Sequence, residues 1–190
     1  MDSVNLDRFI VNARGRFDRY VRDIVAGADE ALPKVIFKIT IDKKVVTKSR
    51  ITPFEGGKDY AEAYYYYLPM YHVSDGTAGD EFLSGGVGSL YVNANAIVLI
   101  EHTTMTLKGQ KFELEIVETQ NVNDEVSKRK SFSLKNVELI AHPEPLGGSC
   151  GLFVFEYTEF KTENTKAKED GTLEGAKDTV GFDYVKGAKT

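Results

Sequence analysis

Gly147, Ser149 and Gly151 stand at the G-x-S-x-G spacing of a nucleophile elbow, where a serine on a strand-to-helix turn attacks a carbonyl with the help of a downstream histidine. Here Pro143 and Pro145 lead into the motif, and an apolar run, Leu152 to Tyr157, follows it where a helix would be needed. All three histidines, His72, His102 and His142, precede the serine, so the chain order of that chemistry also fails. The segment reads as a glycine-rich turn. Cys150, the single cysteine, could instead pair with His142 or His102 as a nucleophile, but a lone thiol at a strand start is ordinarily a small buried hydrophobe. A hydrolase using Ser149 or Cys150 therefore ranks third among the functions considered.

Metal and cofactor chemistry is no better supported. The histidines share no ligand spacing with one another or with the cysteine. Glu101 and His102 are adjacent in a strand expected over Asn95 to Leu107, which sends them to opposite faces. Asp75, Asp80 and Glu81 lack the alternating oxygen ligands of a calcium loop. Gly86-Val87-Gly88 lacks the third glycine and the helix of a dinucleotide loop, and no Walker sequence occurs. The expectation is no catalytic residue, no metal ligand and no cofactor.

Aromatic surface is the more prominent resource. Tyr64, Tyr65, Tyr66 and Tyr67 follow one another, so any strand they form carries tyrosine on both faces, with Pro69 demoting it toward a sheet edge. Tyrosine can bury its ring and keep its hydroxyl wet, which suits a subunit boundary or a carbohydrate-binding surface as well as plain core packing. Ser74 to Ser89, rich in glycine, aspartate and serine and carrying Phe82, reads as one long functional or mobile loop. Near the end of the chain Val180, Phe182 and Tyr184 alternate as an edge strand would. Tyr64 to Tyr67, Phe82, Val180, Phe182 and Tyr184 are the candidate oligomer-interface residues.

These residues need a scaffold, and most of the chain alternates with period two. Val35, Phe37, Ile39 and Ile41 form one half-buried strand, and Asp42-Lys43-Lys44 reads as a hairpin turn. Phe112, Leu114 and Ile116 alternate with Glu113 and Glu115. Phe132 and Leu134 start a pattern whose phase slips by one at Asn136, so that Val137, Leu139 and Ala141 carry it on; a β-bulge does this to a strand. Gln120 to Arg129 between them is a loop or an extended hairpin tip. Leu152 to Tyr157 is apolar on both faces and reads as a central strand covered on both sides. Only the first segment is helical: Leu6, Phe9, Ile10, Ala13, Phe17, Tyr20, Val21 and Ile24 fall in one stripe about 120° wide, opposite an arginine-rich face.

The expected fold is mainly β, an antiparallel sandwich or barrel, with one long amphipathic N-terminal α-helix. Residues 1–32 hold the helix, packed on its own domain or a neighbour; 33–160 the β domain; 161–190 a polar tail ending in an edge strand. At 190 residues the chain can bury one full core. A net charge of -5 lacks the basic excess that nucleic acid requires, and no apolar run is long enough to insert into a membrane. No secretory leader is evident. The protein is expected to be cytoplasmic where it is made, or exported without a cleaved signal, or part of a virus-like particle.

The run Phe112 to Ile116, then Ser131 to Ile140, then Pro143, then Leu152 to Phe160 resembles the closing strands of the haemolysin-coregulated (Hcp) tube protein of type VI secretion and of phage tail-tube subunits. There an F-x-I/L-x-N-x-x-I strand is followed by a loop and a V-x-F-x-Y-x-x-I/F strand. The chain departs from the family in its N-terminal helix, and in having no clear counterpart, between Tyr91 and Leu114, of the helix expected midway through the domain. The resemblance implies stacked rings of β-barrel subunits without catalysis, its partners being other copies of itself and other components of a larger assembly. The alternative is a ligand- or carbohydrate-binding β module that uses the tyrosine strand and the Ser74 to Ser89 loop.

Overall fold

The computed structural model describes residues 3–25, 34–48, 57–69, 86–93, 96–97, 101, 105–106, 108–122, 125–141, 150–168, 173–186 and 188–189. The period-two segments become one antiparallel sheet that closes on itself. Strand β1 (Lys34–Ile41) turns into the short β2 (Lys44–Val45) through Asp42 and Lys43. Their φ angles of 48° and 66° are the left-handed pair that a two-residue type I′ hairpin requires. Then come β3 (Ala61–Tyr67), β4 (Gly86–Asn93), β5 (Phe112–Val122), β6 (Glu125–Ala141), β7 (Cys150–Tyr157), β8 (Glu159–Ala167), β9 (Leu173–Asp183) and β10 (Ala188–Lys189). Around the barrel the order is β6, β5, β1, β3, β4, β7, with β7 pairing back onto β6.

Closure depends on the bulge. Lys130 to Lys135 of β6 pair with β8, whereas Glu138 to Ala141 pair with β7. Between them Asn136 takes φ 50°, and the register against β5 shifts between Leu114↔Leu134 and Phe112↔Val137. The slip expected at Asn136 is therefore present, and it lets one edge of β6 serve two partners in succession. Asn136 Nδ2 donates to Thr158 Oγ1 at 2.8 Å and Thr158 N donates to Lys135 O at 3.1 Å, which pins the crossing point.

Alternation then sorts the side chains. Phe37, Ile39, Leu114, Ile116, Phe132, Leu134, Phe153 and Phe155 fill the barrel. The outward residues of β4 and β7, Val87, Tyr91, Leu152 and Val154, meet the helix α1 (Ser3–Val25), whose Phe9 and Ala13 are buried and whose Leu6, Ile10 and Phe17 are half-buried against them. This explains why Leu152 to Tyr157 is apolar on both faces: one face fills the barrel and the other carries α1. Fully burying a side chain of this size stabilises by about 1.5–3 kcal/mol, so docking rather than helix propensity holds α1 in place.

Four expectations change. The strand expected over Asn95 to Leu107 is not formed: Ile97 makes one bridge to Thr47, but Glu101, Met105 and Thr106 are helical. Ala96, Ile97 and Met105 all join the barrel core, with Met105 fully buried; a short apolar run such as Ala96 to Ile100 suits a strand or a helix equally by period. The strand that carries the tyrosines lies between β1 and β4 rather than at an edge: Ala61 to Ala63 pair with β1, Tyr65 to Tyr67 pair with β4, and Pro69 lies beyond its end. The loop read as ending at Ser89 gives way to strand at Gly86, since the aromatic rings of β7 fill the space that side chains at Gly86 and Gly88 would occupy. Finally, residues 159–167 and 173–183 extend the sheet outward from the first half of β6, with β10 pairing at Phe182 and Asp183.

Candidate functional site

The four tyrosines part company at a register shift between Ala63 and Tyr65. Tyr66 follows Ala61 and Ala63 onto the inner side, where its ring lies 5.4 Å from that of Phe132 and its hydroxyl donates to Glu118 Oε1. Burial, reinforced by the Glu118 carboxylate, pushes that hydroxyl well above the ordinary tyrosine range. Tyr65 and Tyr67 lie under α1. Phe9 stacks on Tyr67 at 5.5 Å, Phe17 lies 6.2 Å from Tyr65, and Phe17 stacks on Tyr91 at 3.9 Å with planes 10° apart. Arg16 sits 4.7 Å over the Tyr67 ring, an interaction worth about 0.5–1 kcal/mol at an exposed site. Tyr64, at 43%, is the most exposed of the four.

The second candidate group lies on the wing formed by β8 and β9, which extends the sheet from β6. Phe160 pairs with Phe182 and Thr162 with Val180, so these four share one side of the wing, continuous with Phe132 and Leu134 of β6. Tyr184 gathers the inner end: its ring is 6.0 Å from Tyr157, 6.1 Å from Phe160 and 5.1 Å from Phe182. Val180, farther out, is 56% exposed. The opposite side is ionic, with Glu163 bridging Lys161 at 2.9 Å and Lys177 at 3.2 Å. Asp183 ties down the turn after β9. Its Oδ2 lies 2.9 Å from Lys186 Nζ and its Oδ1 accepts from the amides of Val185 and Lys186, which together hold its carboxyl below the usual range. No described residue pairs with the outer edge of β9 before Phe182.

Glu115 is a charged node in the barrel wall that sequence reasoning missed, because its partners come from three separate stretches. Its carboxylate lies 2.7 Å from Lys38 and 3.5 Å from Lys128, and both ammonium groups also sit over the Tyr60 ring, at 4.7 and 5.0 Å. Burial alone would raise the Glu115 pKa; hydrogen bonds from Lys38 and Tyr60 and the charges of Lys128 and Lys38 outweigh it and hold the group below its ordinary value. A depressed carboxylate stabilises the fold above its unfolded pKa, about 4.3, and loses that contribution as pH falls through the folded value. Glu115→Gln is therefore expected to lower the urea midpoint at pH 7 and to match wild type near pH 3; a deficit that persists at pH 3 would place the effect in shape rather than charge.

Among the described residues no three His, Cys, Asp or Glu side chains are placed to hold a metal ion. A groove of about 300 Å³ by the Asp42-Lys43 turn is lined by three lysines, three carboxylates, Thr40, Phe112 and Asn136, with no serine, cysteine or histidine in its lining. Cys150 opens β7, while Ser149, the three histidines, Asp75, Asp80, Glu81 and Phe82 lie outside the described residues. No helix among the described residues is long and apolar enough to cross a membrane.

A closed six-stranded antiparallel barrel bearing a helix on one wall and a sheet extension on another defines a structural class, and solved structures say which. No family model matches the chain, and no curated protein does. A type six secretion system protein superposes with a TM-score of 0.57 at 16% identity, over 82% of this chain and 99% of its own. Hcp1 from Salmonella typhimurium gives 0.57 at 11%, over 83% and 99%. The secreted protein Hcp3 from Pseudomonas aeruginosa gives 0.54 at 11%, over 80% and 97%. The chain has the Hcp fold, as the alternation from Phe112 to Phe160 had suggested.

Proposed function

We propose that this chain is a non-catalytic structural subunit that self-associates into rings or tubes of the Hcp or tail-tube kind. The wing carries the reading. Strands β8 and β9 lie outside the closed barrel, yet they hold an apolar strip on one side, with Val180 exposed, and an outer edge of β9 that no described residue pairs with before Phe182. A strand edge left open is a template for another chain, and a heterologous contact of this kind closes into rings when its rotation permits. The likeness to Hcp structures supports the reading at the level of fold. On this reading Val180, Phe182, Tyr184 and Tyr64 lie at the interface together with Phe82, while Tyr65, Tyr66 and Tyr67 act within the subunit by seating α1 and lining the barrel. The barrel of 33–160 is the body, 1–32 and 161–190 are its assembly elements, and other components of a larger assembly bind the assembled form.

Val180→Asp tests this directly. The side chain is exposed, so the substitution is expected to change monomer stability by no more than about 0.5 kcal/mol while reducing rings or tubes in negative-stain images to smaller species. Wild-type protein that stays monomeric by mass photometry at every concentration would refute self-association.

A further inference from the structure

Consecutive residues of a strand point to opposite sides, yet Lys128, Arg129 and Lys130 of β6 all line one groove of about 180 Å³. A register shift makes this possible. Glu118 pairs with Lys130 while its neighbour Thr119 pairs with Lys128, so Arg129 is an extra residue bulged out of the ladder. A bulge re-aims side chains, and this one gathers three cations in one place. Ser131 and Ser133 continue the groove along β6, with Glu115 on the barrel side and Glu163, Thr165 and Lys177 on the side of the wing.

The two carboxylates do not neutralise this groove. Glu115 is shared between Lys38 and Lys128, and Glu163 between Lys161 and Lys177, so each group keeps one surplus positive charge. Arg129 and Lys130 make no ion pair among the described residues, and Glu118, opposite Lys130, accepts a hydrogen bond from Tyr66 instead. Six cations against two carboxylates leave a local charge of +4 in a chain of -5. Crowding like charges destabilises a compact state, so a bulge that adds Arg129 to the group is explained by what the group can hold.

We infer that this groove binds the phosphate group of a small phosphate-bearing molecule. The donor set fits that chemistry: Arg129 brings a planar fork that matches two phosphate oxygens, the lysines act as point charges, and the hydroxyls of Ser131 and Ser133 donate from the floor. A phosphate dianion carries enough acceptor positions for all of them and offsets half of the excess charge. The groove is on the ionic side of the wing, opposite Val180 and Phe182, and the inference does not rest on self-association.

The experiment titrates full-length protein with inorganic phosphate against chloride at matched ionic strength, by calorimetry and thermal melts. It compares wild type, Arg129→Gln/Lys130→Gln, and Lys108→Gln/Lys111→Gln, which removes the same charge from exposed positions outside the groove. Wild type is expected to gain about 3 °C or more in Tm once phosphate exceeds its Kd about tenfold. The groove variant should bind at least about tenfold more weakly, with Tm in chloride unchanged, while the control responds like wild type. Phosphate also stabilises proteins through its exclusion from their surface, an effect all three share. Equal responses in the three proteins, or no heat of binding to wild type, would overturn the inference. Co-sedimentation with phosphatidate-containing vesicles, lost in the groove variant, would assign the phosphate to a lipid headgroup; a response to free phosphate without co-sedimentation would assign it to a soluble ligand.

Discussion

Gly88→Ala is expected to destabilise the protein by about 2–4 kcal/mol, a large effect for one methyl group. Gly88 pairs with Phe155 across β4 and β7, and a Cβ at Gly88 would lie 2.6 Å from Phe155 Cε2, 2.8 Å from Phe155 Cζ and 2.5 Å from Leu68 Cδ2. Leu68 stands at the end of β3 and can yield. Phe155 cannot, because it is 1% exposed in a barrel core packed by Phe37, Leu90 and Phe132. Gly86 makes the same allowance for the ring of Tyr157. The measurement is a double-mutant cycle with Phe155→Leu, read by urea unfolding. Phe155→Leu alone should cost about 1–2 kcal/mol, and the double variant should cost less than the sum of the singles by at least about 1 kcal/mol. Simple additivity would mean that the ring is not what excludes the methyl group.

That pair of glycines marks where a local reading of the sequence stops. Gly86-Val87-Gly88 has the composition of a loop, and its strand character comes from the aromatic residues that lie opposite it, about seventy positions away in the chain. Residues whose partners are neighbours were legible. The stripe of α1 needs only its own period; the slip at Asn136 shows in five consecutive alternations; Leu152 to Tyr157 displays both faces at once. The helical state of Glu101, Met105 and Thr106 was not legible, since Ala96 to Ile100 is apolar throughout and too short for its period to decide. In β8 the alternation is masked because Lys161, Glu163 and Thr165 face the ionic side of the wing while Thr162 and Asn164 dilute its apolar side; pairing with β6 and β9 and the Glu163 bridges hold it as strand. Among the candidate interface residues, four tyrosines in a row looked equivalent. Only the register shift between Ala63 and Tyr65 decides that Tyr66 turns inward, Tyr65 and Tyr67 turn toward α1, and Tyr64 remains exposed.

The seat of α1 yields the other large effect. Phe9 is 3% exposed and stacks on Tyr67, so Phe9→Asp places a carboxylate where neither water nor a cation meets it among the described contacts. Burying an unpaired charge costs more than the several kcal/mol that Phe9, Ala13 and the half-buried Leu6, Ile10 and Phe17 gain by docking. The helix is therefore expected to leave the barrel as a unit rather than distort around one residue. An isolated helix of 23 residues is marginal in water, so release should also unwind it, and the far-UV helical signal should fall. The barrel itself should persist, because Phe153, Phe155 and Tyr157 point inward and do not depend on α1. Its outer wall would expose Val87, Tyr91, Leu152 and Val154 together with Tyr65 and Tyr67, a contiguous apolar patch that should bind a hydrophobic dye and promote aggregation. Arg19→Ala, on the open face, is the control and should shift the unfolding midpoint by no more than about 0.5 kcal/mol. The charge requirement adds a second check: protonation removes most of the penalty, so Phe9→Asp should regain helix and lose dye binding as pH is lowered toward about 4. Undiminished helical signal and no dye binding at pH 7 would show that α1 is not held on the barrel through Phe9.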